Sequence, residues 1–367
     1  MTGGAAGGPG ATAGQGYGSG IFIQGNQSIT FGTGQTAGQI TTISGVITDQ
    51  SGSDPTNIYK DPGHGSVIIA GSGTVVLDAN NTYTGGTIVQ SGVLAISSNN
   101  DIGSGTLTLD SGATLDLTGL ATFTGTVHVV SGTFSGTISI EVDSGTTTMT
   151  GEIVDLSGNG DTVVKTGAGT LVLSGLSHYD NHFGNSGVTI VDGGTLELAT
   201  LNSVLANSSY SFNGPGTLRF DVASDYGGSG VSLRALGAGD SIDLAGLAFS
   251  GSVAASIGQG FLGIGSYTFG DFQNQITSFA MTGDGHGGTE IFIDLSEATQ
   301  FVESEGTGSY TIKLFGNEGA DPTAIDLAAG TTLIIDGNGV TIDGGATNGV
   351  GGSRGLVVES GTVTLEN

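Results

Sequence analysis

The sequence predicts an all-β chain built as a parallel β-solenoid. Glycine supplies 72 of the 367 residues, close to one in five, where ordinary proteins carry roughly 7%. Short runs alternate apolar with polar residues, and Gly, Asn, Asp or Ser bounds each run. Ser91-Gly92, Ser111-Gly112 and Ser131-Gly132 recur at an even interval.

The alternating runs come first. Thr106-Leu107-Thr108-Leu109-Asp110, Thr114-Leu115-Asp116-Leu117-Thr118, Thr195-Leu196-Glu197-Leu198 and Val363-Thr364-Leu365-Glu366 each put aliphatic residues on one face and Thr, Asp or Glu on the other, the period of a strand. No window of period 3.6 stands out, and glycine interrupts most stretches that a helix would need. The interval between the Ser-Gly pairs is the scale of one solenoid coil, which buries its apolar side chains only by stacking on the next. Glycine serves the sharp corners, where positive φ is cheap only for Gly or Asn. At about 22 residues per coil the chain would make about 16 coils, a rod of about 80 Å. Asn80-Asn81 and Asn99-Asn100 lie almost the same interval apart, as an asparagine ladder along one corner would require. A β-sandwich or barrel also uses short alternating strands, but two-residue hairpin signals are scarce here.

Charge removes several functions. Asp and Glu number 33 against 6 Lys and Arg, a net charge of −27. Such a chain cannot displace counterions from nucleic-acid phosphates, and an anionic membrane surface repels it. No apolar run reaches the length of a spanning helix, so neither nucleic acid nor membrane insertion is expected. Cysteine is absent, excluding disulfide frameworks and thiolate metal sites. The abundance of Val, Ile, Leu, Phe and Thr argues against disorder. The opening Met1-Thr2-Gly3-Gly4-Ala5-Ala6 has neither the basic nor the apolar region of a Sec signal peptide; another export route, or excision from a longer protein, is expected.

A longer repeat overlies the short one. Gly71-Ser72-Gly73-Thr74-Val75-Val76-Leu77 leads to Asn81-Thr82-Tyr83-Thr84-Gly85-Gly86-Thr87-Ile88-Val89-Gln90-Ser91-Gly92-Val93-Leu94. Further on, Lys165-Thr166-Gly167-Ala168-Gly169-Thr170-Leu171-Val172-Leu173 leads to Gly187-Val188-Thr189-Ile190-Val191-Asp192-Gly193-Gly194-Thr195-Leu196. Both copies resemble the passenger-associated β-strand repeat of autotransporters and giant secreted bacterial adhesins. The first departs at Asp78-Ala79. The second replaces the central motif with Ser177-His178-Tyr179-Asp180-Asn181-His182 and carries extra residues around Ser177–Asn185. The resemblance implies a right-handed parallel β-helix and an extracellular or cell-surface location.

A second resemblance concerns order. Thr331-Thr332-Leu333-Ile334-Ile335-Asp336-Gly337-Asn338-Gly339-Val340-Thr341-Ile342-Asp343, with Arg354-Gly355-Leu356-Val357-Val358, is similar to the first coils of passenger domains, and Tyr17-Gly18-Ser19-Gly20-Ile21-Phe22-Ile23 to a segment that follows them. The chain therefore reads as circularly permuted. Two explanations compete: one unit cut from a tandem array, or a subunit whose last coil stacks on the first coil of the next. Uncapped solenoid ends expose strand edges. End-to-end self-association near Ile21–Ile23 and Leu356–Leu365 is thus expected, as a head-to-tail filament.

The middle differs. Phe212, Phe220, Phe249, Phe261, Phe269, Phe272, Phe279 and Phe292 are over half of the 15 phenylalanines. Gly239-Asp240-Ser241-Ile242-Asp243-Leu244 and Gly283-Asp284-Gly285-His286-Gly287-Gly288-Thr289 resemble segments of type I-secreted proteins. The expected division is a solenoid over 1–200, a Phe-richer β module or wider coils over 201–300, and further solenoid over 301–367.

Candidate chemistry is sparse. Asp155, Ser157, Asn159 and Asp161 place oxygens at alternate positions with Gly160 at the sharp turn, as a calcium loop does. The twelfth position is Thr166 instead of the EF-hand's Glu, so a lone Ca²⁺ turn competes with an Asx-rich corner. His178 and His182 fall in a loop, without helical zinc-ligand geometry; His64, His128 and His286 are isolated. Arg219, Arg234 and Arg354 have no carboxylate cluster near them in sequence. The expected function is a non-catalytic structural and adhesive solenoid of a bacterial surface or biofilm matrix, with calcium and surface glycans as ligands of its acidic faces. The alternative is a calcium-dependent polysaccharide lyase or glycoside hydrolase of the same fold, which convergent carboxylates in a groove would identify.

Overall fold

The computed structural model describes residues 20–53, 63–132, 135–156, 160–175, 177–178, 187–200, 209–221, 231–250, 255–258, 261–265, 267–269, 278–316, 324–340, 342 and 356–366. The chain is mostly β and forms a parallel β-solenoid of about 10 turns. It divides into two compact units, 1–189 and 190–367.

In the first unit the period-2 runs become stacked strands. One sheet of seven takes one strand per coil, in the order Ser28–Phe31, Ser66–Ile69, Thr87–Val89, Leu107–Asp110, Val127–Val130, Ile153–Asp155, Ser177–His178. Val67, Thr87, Leu107 and Val127 stand over one another at equal steps along the chain. A second sheet stacks Ile40–Ile43, Thr74–Leu77, Gly92–Ile96, Ala113–Asp116, Thr137–Glu141 and Thr162–Thr166 in parallel. A third side pairs Ile21–Ile23 with Ile47–Asp49, and Thr122–Phe123 with Thr146–Met149, which pairs in turn with Thr170–Leu173. Alternation then decides burial. Leu107, Leu109, Leu115, Val127, Ile138 and Ile140 face the core at no more than 1% exposure, while the threonines and acids between them face outward.

Corners explain the glycines. A Cβ on Gly151 would lie 2.0 Å from the Gly125 carbonyl oxygen of the coil before, so any side chain there would push two coils apart. The asparagine ladder takes a different form from the expected one. Asn81 Oδ1 accepts from the Ile47 amide at 2.7 Å and Asn81 Nδ2 donates to the Asp101 carbonyl at 2.5 Å. The side chain bridges coils through their backbones and not through other asparagines.

The second unit begins as solenoid: Ser209–Phe220 pairs in parallel with Ser232–Arg234 and Ser241–Leu244. Pairing then turns antiparallel, from Ser241–Leu244 to Thr289–Phe292, to Phe279–Gly283, to Ser309–Phe315. It becomes parallel again through Thr332–Asp336 and Thr362–Glu366. A meander of Ala255–Gly258, Phe261–Ile264 and Tyr267–Phe269 is also antiparallel. This stretch, together with coils longer than the expected lap, such as Ser28 to Ser66, brings the count below the number of coils expected.

Across the antiparallel joint the sheet turns inside out. Leu218, Ile242 and Ile291 lie in register on the buried inner face, and Arg219, Asp243 and Glu290 on the outer one. Beyond it the face that carried Glu290 and Thr282 continues into Ile312, Leu314 and Ile335, which are core. The helix Leu295–Glu305 fills this second core with Leu295, Ala298 and Val302. The sequence reading missed this helix, although Asp294 caps it, accepting from the Glu297 amide at 3.0 Å.

Candidate functional site

Several residues of the first repeat copy have a structural role. Thr74–Leu77, Thr87–Val89 and Gly92–Ile96 are strands of its coils, and Asn81 ties them to their neighbours. Tyr83 is fully buried, with its hydroxyl against Thr87 Oγ1 at 2.5 Å. The Tyr83 ring packs beneath Gly103, which sits at φ +69, and a Cβ there would be 3.0 Å from the ring. In the second copy Lys165 takes a core position in register with Ile140. Its Nζ donates to the carbonyls of Thr166 and Gly167 at 2.9 and 2.7 Å, and burial pulls the pKa of the amine down to about 8.

Two segments, residues 70–96 and 163–198, match the family model of the passenger-associated-transport-repeat. The chain is an autotransporter-passenger-like β-helix. No curated protein and no solved structure matches it. Repeat and solenoid together fit an autotransporter passenger.

The sequence-predicted calcium loop of this passenger-like chain is only partly visible. Ser157 and Asn159 lie outside the described residues. Asp155 Oδ2 accepts from the Gly160 amide at 3.1 Å. Asp161 is fully buried and its Oδ1 accepts from the Gly136 amide at 2.6 Å. Among the described residues no group of three or more His, Asp or Glu side chains could hold a metal ion. His182 and the His178 side chain also lie outside the description; His64 Nδ1 meets Thr84 Oγ1 at 2.6 Å.

Arg219 overturns the sequence reading, for a carboxylate cluster surrounds it. Arg219 Nε lies 2.8 Å from Asp221 Oδ1 and 3.6 Å from Glu197 Oε2, and Nη1 lies 2.8 Å from Asp243 Oδ2. Glu290 stands in register beyond Asp243. Glu197, Arg219 and Asp243 follow one another at intervals of a single coil, and that spacing was the available signal. Burial raises Glu290 to about 8, helped by the Asp243 charge. Burial likewise raises Asp243 to about 6 and Glu197 to about 7.

A second pair borders a cavity of about 220 Å³ lined by Asp240, Ser241, Phe292 and Glu297. Asp240 takes the Gly216 and Gly237 amides at 3.2 and 2.8 Å, and Glu297 Oε1 takes the Gly239 amide at 2.5 Å. These carboxylates clamp a glycine turn to the start of the helix, in a cavity below the roughly 300 Å³ at which ligand pockets begin.

Proposed function

We propose that the chain is a non-catalytic structural and adhesive solenoid, secreted or displayed at a bacterial surface or matrix as its repeat family implies, that stacks end to end with copies of itself. The observation supporting this is the exposure of core positions on two described coils. Val358 and Leu365 are in register with Ile325 and Ile335, which are at most 1% exposed, yet they are 46% and 59% exposed. In the first unit Ile29 and Phe31 are only half-buried, although their partners Val67 and Ile69 are at most 1% exposed. Phe22 there is 38% exposed although its partner Thr48 is 2% exposed. Another parallel coil laid on either edge would cover these residues, each worth about 2 kcal/mol when fully buried, and pair the open strand edge.

Negative-stain microscopy and sedimentation of wild type, Leu365→Lys and Ile29→Asp test this. Wild type should form rods many subunits long, and either substitution should leave single subunits with an unchanged melting temperature. Single wild-type particles at all concentrations would overturn the assembly reading.

A second reading, a polysaccharide-processing enzyme, draws on the Asp240 and Glu297 pair, which burial raises to about 6 and about 7. Reducing-sugar or unsaturated-product release from pectic and β-glucan substrates, abolished in Glu297→Gln, would establish it.

A further inference from the structure

A groove of about 470 Å³ opens in the second unit between the Phe249 and Tyr310 side chains. The hairpin loop 283–288 lines it through four glycines, of which Gly283 and Gly287 have room where a side chain would be. Asp284 holds that loop from behind. Its Oδ1 accepts from the amides of His286 and Gly288 at 2.8 and 2.6 Å. Thr289 Oγ1 donates to the Leu247 carbonyl at 2.7 Å, which fastens the segment carrying Phe249 beside the hairpin. The Tyr310 ring rests over Gly308, 2.9 Å from where a Cβ there would lie, and packs against the second core. Both aromatic walls are therefore set in place before any ligand arrives.

The polar features of the groove ask for a partner. Thr282 lines it through its backbone side only, being 1% exposed with its Oγ1 sealed from solvent. Ser309 and Thr311 supply hydroxyls on the far side. Among the described residues lining the groove none is charged, and the chain's net charge of −27 repels anions. A lipid would want an apolar wall throughout. Aromatic faces alternating with hydroxyls and exposed peptide groups instead match a pyranose, which offers a C–H face to a ring and hydroxyls at its rim. The volume falls within the range of small-molecule sites.

We propose that this groove binds pyranose rings of a neutral glycan, with Phe249 and Tyr310 against the sugar faces and the Ser309 and Thr311 hydroxyls bonded to sugar hydroxyls. This deepens the adhesive half of the proposed function and is independent of end-to-end assembly.

Saturation-transfer NMR on the full chain tests it, with maltohexaose, cellohexaose and mannohexaose as neutral probes and hexagalacturonate as the anionic one. At least one neutral probe should receive saturation, and hexagalacturonate none. Tyr310→Ala should weaken binding tenfold or more. Gly283→Leu fills the groove from a position where a Cβ makes only a 3.7 Å contact with Phe249, so it should abolish binding with the melting temperature unchanged. Leu365→Lys should bind as wild type does, so that loss of assembly and loss of glycan binding read out separately. Silence from all three neutral probes, equal transfer in Gly283→Leu, or binding of hexagalacturonate as strong as that of the neutral probes would overturn the assignment.

Discussion

Asp49 and Glu290 are both buried acids, held in opposite ways. Asp49 Oδ2 accepts from the Gly65 and Thr84 amides and from Thr84 Oγ1 within 2.8 Å, and Oδ1 accepts from the Gly52 amide. Donors replace the lost water, and the carboxylate stitches successive coils. Glu290 is 5% exposed and faces Asp243 and Asp284, with Arg219 the opposing cation. Its carboxyl is raised from 4.5 to about 8, so between those values the folded chain holds a proton that the unfolded chain has released. Stability is therefore fully present below about pH 4.5 and falls as pH rises towards 8, by about 1.4 kcal/mol per unit for one proton. Glu197 and Asp243 add in the same direction. Urea denaturation from pH 5 to 9 should show this slope, and Glu290→Gln should flatten it and stabilise the chain above pH 8. An identical slope in the variant would show that Glu290 is not the titrating group.

At the scale of elements, a strand here is short and contributes through its layer. Thr87–Val89 has three residues and is held by coils on both sides. The helix Leu295–Glu305 is the exception, for it fills a core that would otherwise open at the antiparallel joint. Its acidic first turn and N-cap favour it, since negative charge suits a helix N-terminus. Asp294→Ala should cost about 1 kcal/mol, read as a lower urea midpoint. Proteolysis should then cut the second unit before the first, and an unchanged midpoint would mean packing alone holds the helix.

For the whole molecule, charge sets the conditions of folding and assembly. With 33 acids against 6 bases, self-repulsion opposes compaction and end-to-end approach alike. Raising sodium chloride from 0.01 to 1 M shortens the screening length from about 30 to about 3 Å, so melting temperature and rod length should both rise. Calcium at equal ionic strength should raise them further if it bridges acids such as Asp155, and chelator should reverse that increment. Melting and rod length insensitive to calcium would dismiss the ion as a structural partner.

The parallel solenoid was legible from residues alone, because alternation such as Thr106 to Asp110 and an even recurrence of Ser-Gly pairs are local consequences of stacking layers of like shape. The repeat was legible for the same reason: Asn81, Tyr83 and Gly86 each answer a need of one corner. The Arg219 cluster was legible only as a one-coil spacing of Glu197, Arg219 and Asp243, since these and Asp221 meet only when coils of unequal length are wound in register. The exchange of inner and outer faces was not legible, because a run such as Thr289–Phe292, buried throughout, has no alternation to say which side is core. Pattern along the chain reports a strand's environment when one face is wet; where both faces are covered, only the packing of distant segments decides.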